Sequence, residues 1–257
     1  MRTWIAIAAA TALLGAGTAA CGEVGEVGEA GAGGGTLTVF AAASLTEAFT
    51  SLGATFEGSH PGVQVRFNFG ASSTLARQIT QGAPADVFAA ASPATMRTVT
   101  DAGDAAGSPQ LLARNRLVIA IPKDNPGKVA KVADLSRPGL KVVLCAAQVP
   151  CGAAAAKALG AAGTEVEPVS REKDVKAVLT KVGLGEADAG LVYRTDVQAA
   201  GDRVTGIEFP EAAQAVNDYP LVEVADAPQG ALAREFIRLV LGPQGRSVLT
   251  RAGFEAP

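Results

Sequence analysis

The sequence predicts an α/β fold of two lobes with a cleft between them, because short apolar strands alternate with amphipathic helices from Thr36 to the C-terminus. Such alternation favours largely parallel sheets covered by helices. The chain has 257 residues, of which 48% are hydrophobic and 18% charged, which is enough for one or two domains with a sizeable core. High hydrophobicity and low charge exclude an intrinsically disordered chain.

The elements of the first half are predicted from their periodicity. Residues 36–42 form an apolar run typical of a buried strand, and apolar residues at helical spacing predict a helix over 45–56. Alternation predicts a strand at 63–69, after which Ser72 or Ser73 caps a second helix. This helix ends near residue 81, and the next predicted elements are a strand at 86–91, a helix at 93–102 and a strand at 117–121.

The second half continues the pattern and suggests where the lobes divide. Its predicted strands are 141–144, 189–193 and 221–224, and its predicted helices are 153–159, 174–181, 230–241 and 243–252. The segment 103–116 is loop-like, and the strand after it carries the chain into a second lobe. The closing helices would pack poorly as a lobe of their own, so we expect the chain to return to the first lobe. We therefore predict a first lobe of residues 36–116 and 226–257, and a second lobe of residues 117–225. Two crossings leave a cleft, a common place for a small ligand.

The N-terminus is typical of an export signal. Arg2 precedes the apolar run WIAIAAATALL, which is too short to span a bilayer but fits the hydrophobic region of a signal peptide over residues 1–20. The alternative is a buried alanine-rich helix. The segment GTAAC, which ends at Cys21, resembles a bacterial lipobox, in which the cysteine is lipidated, although Thr18 stands where leucine is usual. The glycine-rich residues 21–35 would then tether a globular body to the outer face of the cytoplasmic membrane or in the periplasm, with a reach of about 20 Å.

Composition and motifs exclude several classes of function. The net charge of −3 argues against nucleic-acid binding. One histidine and three cysteines are too few for a zinc or iron–sulfur site, so no metal cofactor is expected. A secreted serine hydrolase is the enzymatic alternative, but Gly70-Ala71-Ser72-Ser73-Thr74 lacks the second glycine of a nucleophile elbow. His60 lies in a Gly- and Pro-containing turn with no nucleophile beside it. We therefore expect a protein that is not an enzyme.

Several predicted helix starts carry small or hydroxyl residues that could bind an anion. Ser44, Ser72, Cys151 and Val175 lie at such starts, where unpaired N–H groups and the helix dipole favour negative charge. In open α/β sheets these starts gather at the carboxyl ends of the strands. The alternative is that the serines only cap their helices. Spacing alone does not decide between the two.

The same segments resemble a known family. The blocks that carry the resemblance, in order, are VFAAASLTEA from residue 39, SSTLARQI from 72, GAPADVF from 82, VPCG from 149, EKDV from 172, GLVY from 190, LGPQG from 241 and GF from 253. Together they are similar to the periplasmic molybdate-binding proteins of ABC transporters, over residues 36–254. The resemblance implies the periplasmic-binding-protein fold, in which two lobes close on the ligand.

The resemblance also implies a site. Ser44 and Ser72 would give hydroxyl and backbone donors from the first lobe. The backbone N–H groups of Cys151 and Val175 would act from the second lobe, together with the Tyr193 hydroxyl. The family often has alanine where this chain has Cys151, which suggests a disulfide to Cys145. This pairing leaves Cys21 for lipid.

These inferences predict an extracytoplasmic solute-binding protein. Its ligand would be molybdate, and tungstate as well, held as an oxyanion without a cofactor or metal cation. Its partner would be the membrane permease of an ABC importer, and we expect a monomer. The alternative within binding proteins is a carrier of sulfate or another tetrahedral oxyanion.

Overall fold

The computed structural model describes residues 34–257. The predicted signal peptide, the lipidation site Cys21 and residues 21–33 of the tether lie outside this range. Among the described helices, none combines the length and the apolar character that a membrane crossing requires.

The described residues form ten strands and eight α-helices, joined by short 3-10 helices. The strands are β1 (Thr36–Ala42), β2 (Gln64–Gly70), β3 (Val87–Ala89), β4 (Gln110–Asn115), β5 (Leu117–Pro122), β6 (Val142–Cys145), β7 (Ser170–Glu172), β8 (Ala189–Tyr193), β9 (Val204–Ile207) and β10 (Asn217–Glu223). The helices are α1 (Thr46–Ser59), α2 (Ser72–Thr80), α3 (Pro93–Asp101), α4 (Pro150–Ala161), α5 (Val175–Gly183), α6 (Arg194–Ala200), α7 (Gly230–Leu241) and α8 (Pro243–Arg251).

The strands form two five-stranded sheets, one in each lobe, which confirms the α/β class. The strand order is β2-β1-β3-β10-β4 in the first sheet and β7-β6-β8-β5-β9 in the second. Three neighbouring strands of each sheet run parallel, and the fourth, β10 or β5, runs antiparallel to both of its neighbours. Both sheets are therefore mixed rather than largely parallel.

The two crossings between lobes involve these reversed strands. The chain passes from β4 to β5 through a single residue, Arg116, close to the predicted crossing. The return crossing is earlier than predicted: we assigned residues 117–225 to the second lobe, but β10 pairs with β3 and β4 in the first sheet. The first lobe therefore resumes before Asn217 rather than at residue 226. Sequence reasoning began this strand only at residue 221, because Asn217, Asp218 and Pro220 resemble turn residues.

Three strands that the sequence did not predict lie at sheet edges. β4 falls in the segment that we interpreted as a loop, and β7 and β9 were not predicted at all. Edge strands tolerate charged and polar residues because one side of the strand faces no neighbour. These three short strands, QLLARN, SRE and VTGI, accordingly lack the long apolar runs of central strands.

Each lobe has its own core. In the first lobe α1, α7 and α8 pack on one face of the sheet, where Phe236 makes edge contacts with Phe49 and Phe56 at centroid distances of 5.9 and 5.6 Å. Helices α2 and α3 cover its other face. In the second lobe α4 and α5 pack on the sheet, and their core also takes in Ala43 and Ala71 from the first lobe. The lobes are therefore in contact where β1 and β2 end.

Candidate functional site

A small cavity lies between the lobes, at the carboxyl ends of the parallel strands. Its volume is about 20 Å³. For comparison, a cavity of roughly 10–15 Å³ holds one water molecule. This space suits a group of a few atoms rather than an organic molecule. The lining residues are Ala42, Ala43, Ser44, Gly70, Ala71, Ser72 and Ala91 from the first lobe, and Val149, Pro150, Cys151, Asp174, Val175 and Tyr193 from the second.

Three helices begin at this cavity, and their first-turn N–H groups have no acceptor within the helix. The residues that precede α2 and α4 are Ala71 and Val149, and neither can accept a hydrogen bond through its side chain. Helix α4 begins at Pro150, earlier than the predicted residue 153, so that Cys151 falls in its first turn. Ser72, Cys151 and Val175 therefore line the cavity in the first turns of these helices, where the N–H groups have no acceptor within the helix and lie at the positive end of its dipole.

The two serines of the cavity are buried and already bonded to the protein. Ser44 is 4% exposed and Ser72 is 2% exposed. Ser72 Oγ accepts a hydrogen bond from the Ala91 N–H at 3.0 Å. Ser44 Oγ lies 2.8 Å from the Tyr219 hydroxyl, and either atom could donate. Neither serine caps its own helix through its side chain, which removes the main alternative explanation for these residues.

Tyr193 contributes a buried hydroxyl that lacks a hydrogen-bond partner among the described residues. It ends β8 and is 1% exposed. Burial raises its pKa well above the usual value, and the nearby Tyr219 and Asp196 raise it further. The hydroxyl therefore keeps its proton at neutral pH. Buried donors are almost always paired, so this one marks a place where a ligand acceptor would be stabilised.

The cavity offers many donors and little charge. Among the described residues, no lysine or arginine lines it, and its single charged side chain is Asp174. The Asp174 carboxylate accepts a hydrogen bond from the Ala177 N–H at 2.9 Å and so caps α5. Positive potential at the site therefore comes from helix dipoles and amides rather than from a countercharge, which avoids the desolvation of a buried cation.

Lys176, next to Val175, links the two lobes beside the cavity. Its Nζ donates to both carboxylate oxygens of Glu47 on α1, at 2.8 and 2.9 Å. The same Nζ lies 3.3 Å from Oδ1 of Asp196 at the start of α6. Asp196 is fully buried, and burial raises its pKa to about 6 despite the opposing effect of Lys176. Its Oδ2 accepts a hydrogen bond from the Tyr193 N–H at 3.0 Å.

A disulfide holds the loop that leads to Cys151. Cys145, the last residue of β6, is bonded to Cys151, which confirms the expected pairing. The residue after Cys151 must be glycine, because a Cβ at Gly152 would collide with the carbonyl oxygen of Ala146. The disulfide and this close packing together fix the direction of the Cys151 N–H.

Removing the disulfide should weaken the fold and the site together. A Cys145→Ser, Cys151→Ser double variant is expected to lose about 2–2.5 kcal/mol of unfolding free energy, because the bridge closes a loop of seven residues in the unfolded chain. Chemical denaturation of both proteins measures the loss. A control is the unreduced wild type, in which intact mass and thiol titration should find neither Cys145 nor Cys151 free. Free thiols at both positions, or unchanged stability, would contradict this.

All five residues predicted for the site line this one cavity. His60, which we set aside as a turn residue, contacts Glu235 at 2.8 Å and stacks on Phe56, and it does not line the cavity. Sequence reasoning missed Tyr219 and the Glu47–Lys176–Asp196 cluster. Tyr219 lies on a strand whose start was misplaced, and no local spacing relates the three charged residues.

The chain is similar to known proteins over nearly its whole length. Residues 37–255 match the family model of bacterial extracellular solute-binding proteins. The molybdate-binding protein ModA of Mycobacterium tuberculosis is 45% identical over 259 residues, which cover 99% of each chain. ModA of Escherichia coli is 36% identical over 86% of this chain and 89% of its own. The structure of the periplasmic molybdate-binding protein of Azotobacter vinelandii superposes with a TM-score of 0.76 at 21% identity, covering 86% of this chain and 99% of the other.

Proposed function

This chain belongs to the family of bacterial extracellular solute-binding proteins, and from that premise we propose that it captures molybdate outside the cytoplasm and delivers it to an ABC importer. The observation that carries the proposal is that three helix N-termini and the unpaired Tyr193 hydroxyl meet at one cavity between the lobes. Two relatives that are 45% and 36% identical are molybdate-binding proteins.

The chemistry of molybdate matches the donors of the cavity. The dianion offers oxygen acceptors and carries no proton near neutral pH, so every oxygen can be satisfied by N–H and O–H groups. Ser44 and Ser72 supply hydroxyls and amides, and the amides of Cys151 and Val175 act from the opposite lobe. The Tyr193 hydroxyl completes the set. We propose these five residues as the ligand contacts.

We expect the protein to bind tungstate about as tightly as molybdate, because the two dianions are nearly alike in size and charge. Sulfate has the same charge but is smaller, so that amides fixed for the larger ion would form stretched hydrogen bonds with it. A carrier of sulfate or another tetrahedral oxyanion is the alternative to this proposal, and an assay of several anions separates the two.

Stoichiometry is the first test of the proposal. Purified protein dialysed against molybdate should retain one molybdenum per chain, as counted by elemental analysis after removal of free anion. A Ser44→Ala, Ser72→Ala variant, carried through the same dialysis at a limiting concentration, should retain less. Wild-type protein that retains no molybdenum would overturn the assignment.

Ligand binding should favour the closed arrangement of the lobes. Donors come from both lobes, so the ligand makes contacts in the closed state that an open state cannot make. Small-angle scattering should therefore give a smaller radius of gyration with molybdate than without it. Sulfate at the same concentration serves as the ionic control. An unchanged profile would contradict closure on the ligand.

The remaining parts of the proposal concern attachment and assembly. We propose that Cys21 carries lipid and that residues 21–35 tether the binding domain to the membrane surface, within reach of the permease. We also propose that the protein acts as a monomer, since one chain supplies all five proposed ligand contacts and a second copy is not needed to complete the site. Mass spectrometry of the membrane fraction tests the anchor, and a Cys21→Ser variant that remains in that fraction would contradict it.

A further inference from the structure

Two carboxylates lie beside the proposed anion site without lining it. Glu47 shares a second cavity, of about 150 Å³, with Ser44, and Ser44 also lines the cavity between the lobes. Asp196 is fully buried, and its Oδ2 accepts a hydrogen bond from the Tyr193 N–H. Like charges repel one another, and they do so more strongly in a partly buried place than in water. Each carboxylate therefore opposes the binding of a dianion unless it serves another purpose.

Lys176 joins the two carboxylates into one cluster. Its Nζ donates to both carboxylate oxygens of Glu47, at 2.8 and 2.9 Å, and lies 3.3 Å from Asp196 Oδ1. Lys176 and Asp196 lie on α5 and α6 of the second lobe, whereas Glu47 lies on α1 of the first. Asp196 therefore holds the Lys176 ammonium within its own lobe. Within the cluster, only the ion pair of Lys176 with Glu47 crosses from one lobe to the other.

Each member of the cluster lies next to a different proposed ligand contact. The pairs are Glu47 with Ser44 three positions earlier, Lys176 with the preceding Val175, and Asp196 with Tyr193. A movement that separates the lobes must therefore break the ion pair between Glu47 and Lys176. The same movement separates the ligand contacts of the first lobe from those of the second. Closure on an anion forms both sets of contacts together.

We propose that Glu47 and Lys176 are positioning residues that form a latch between the lobes and slow the release of the bound anion. The proposal rests on the proposed function. The latch exists only in the closed state, so it stabilises that state relative to an open one. Release of the anion requires opening, and opening breaks the latch. Association begins from the open state, in which Glu47 and Lys176 are apart. The latch therefore acts on the dissociation rate rather than on the association rate.

Replacing Glu47 with glutamine distinguishes a latch from simple charge repulsion, because the two predict opposite results. Repulsion alone predicts that the loss of a negative charge slows release of the dianion. A latch predicts that Glu47→Gln releases molybdate faster and that its dissociation constant rises by the same factor. The side chains of Glu47 and Lys176 are 51% and 25% exposed. The expected factor is therefore about two- to fivefold, as is typical of partly exposed ion pairs.

Glu57→Gln is the matched control for the change in charge. Glu57 lies on the same helix, α1, but its Oε1 accepts a hydrogen bond from the Val65 N–H within the first lobe, at 2.7 Å. This variant should release molybdate at the wild-type rate. A Lys176→Met background supplies a second control, because no latch remains in it. Adding Glu47→Gln to that background should leave the release rate unchanged or lower it, since Glu47 then only repels the dianion.

The experiment follows the release of radiolabelled molybdate from purified protein into an excess of unlabelled molybdate. It compares wild type, Glu47→Gln and Glu57→Gln, and then Lys176→Met with and without Glu47→Gln. Calorimetric titration gives the dissociation constant of each protein, and denaturation of the ligand-free proteins shows that Glu47→Gln is folded.

Faster release from Glu47→Gln alone would support the latch. Release from Glu47→Gln at or below the wild-type rate would overturn the proposal. The same acceleration in Glu57→Gln, or an equal acceleration by Glu47→Gln in the absence of Lys176, would also overturn it. Failure of the wild type to bind molybdate would instead overturn the proposed function.

Discussion

Replacing Lys176 with methionine is expected to lower the unfolding free energy by about 2–3 kcal/mol at pH 8, because Asp196 must then either stay charged without a cation or take up a proton two pH units above its pKa of about 6. Lys176 Nζ lies 3.3 Å from Asp196 Oδ1, and Asp196 is fully buried. Methionine keeps most of the length of the side chain but leaves the buried carboxylate without a cation. Breaking a buried ion pair from one side is far more destabilising than losing a surface pair, because the remaining charge is neither solvated nor paired.

The loss should become small at pH 5. Burial raises the pKa of Asp196 to about 6 in the folded protein, from 3.8. Because the folded state binds this proton more tightly than the unfolded chain, the contribution of Asp196 to stability falls as the pH rises from about 4 to about 6. Above pH 6 Asp196 is charged and needs Lys176, whereas at pH 5 it is mostly neutral. Urea denaturation of both proteins at the two pH values measures the difference, and equal losses would contradict this account.

Two further variants show which partner of Lys176 matters. Asp196→Asn in the Lys176→Met background removes the buried charge and should restore most of the lost stability at pH 8. Glu47→Gln removes only the half-exposed partner on α1, so its effect on stability should be at most about 1 kcal/mol. Glu47 belongs to the first lobe and Lys176 to the second, so their ion pair forms only when the lobes are closed. Glu47→Gln should therefore reduce the free energy of molybdate binding by more than it reduces the free energy of unfolding.

Replacing Ser44 or Ser72 with alanine is expected to weaken molybdate and tungstate binding equally, by about 1–3 kcal/mol for each serine. This corresponds to roughly 5- to 150-fold in the dissociation constant. The Ser72 hydroxyl accepts from the Ala91 N–H at 3.0 Å and so has its proton available for a ligand oxygen, and Ser44 Oγ lies in the same cavity, 2.8 Å from the Tyr219 hydroxyl. The backbone amides remain in the variants, so binding should weaken without disappearing. Titration of both anions into each variant measures the effect.

Ser92 provides a matched control for the two serines. It lies next to Ala91, but its Oγ accepts from the Thr95 N–H and caps α3 rather than lining the cavity. Ser92→Ala should lose about 1 kcal/mol of stability, as is typical of a lost helix cap, and bind molybdate like the wild type. If Ser92→Ala weakened binding as much as Ser72→Ala, the hydroxyl contacts would not be the cause.

Central elements of the fold could be predicted from the sequence, and edge elements could not. β1, β5 and β8 are buried on both faces and therefore contain unbroken apolar runs. β10 was only half predicted because Pro220 interrupts it. The structure shows why proline is tolerated there: the register with β4 shifts between Tyr219 and Pro220, and such irregularities need no ladder hydrogen bond from the proline.

The candidate site was predictable where contacts are local and unpredictable where they are distant. Helix starts at Ser72, Cys151 and Val175 follow from short-range patterns and the family resemblance. The bond between Ser44 and Tyr219 joins residues 175 positions apart, and the ion pair of Lys176 with Glu47 joins residues 129 positions apart. Only the return of β10 to the first sheet and the contact between the lobes bring these groups together.

Competition among anions tests the central claim most directly. The wild-type protein, saturated with molybdate, is titrated in separate experiments with tungstate, sulfate and phosphate. The donor groups of the site are fixed for a large unprotonated dianion. We therefore expect tungstate to displace molybdate at a comparable concentration, whereas sulfate and phosphate should need a large excess. Displacement by sulfate or phosphate at concentrations comparable to molybdate would contradict the assignment and identify a carrier of another oxyanion.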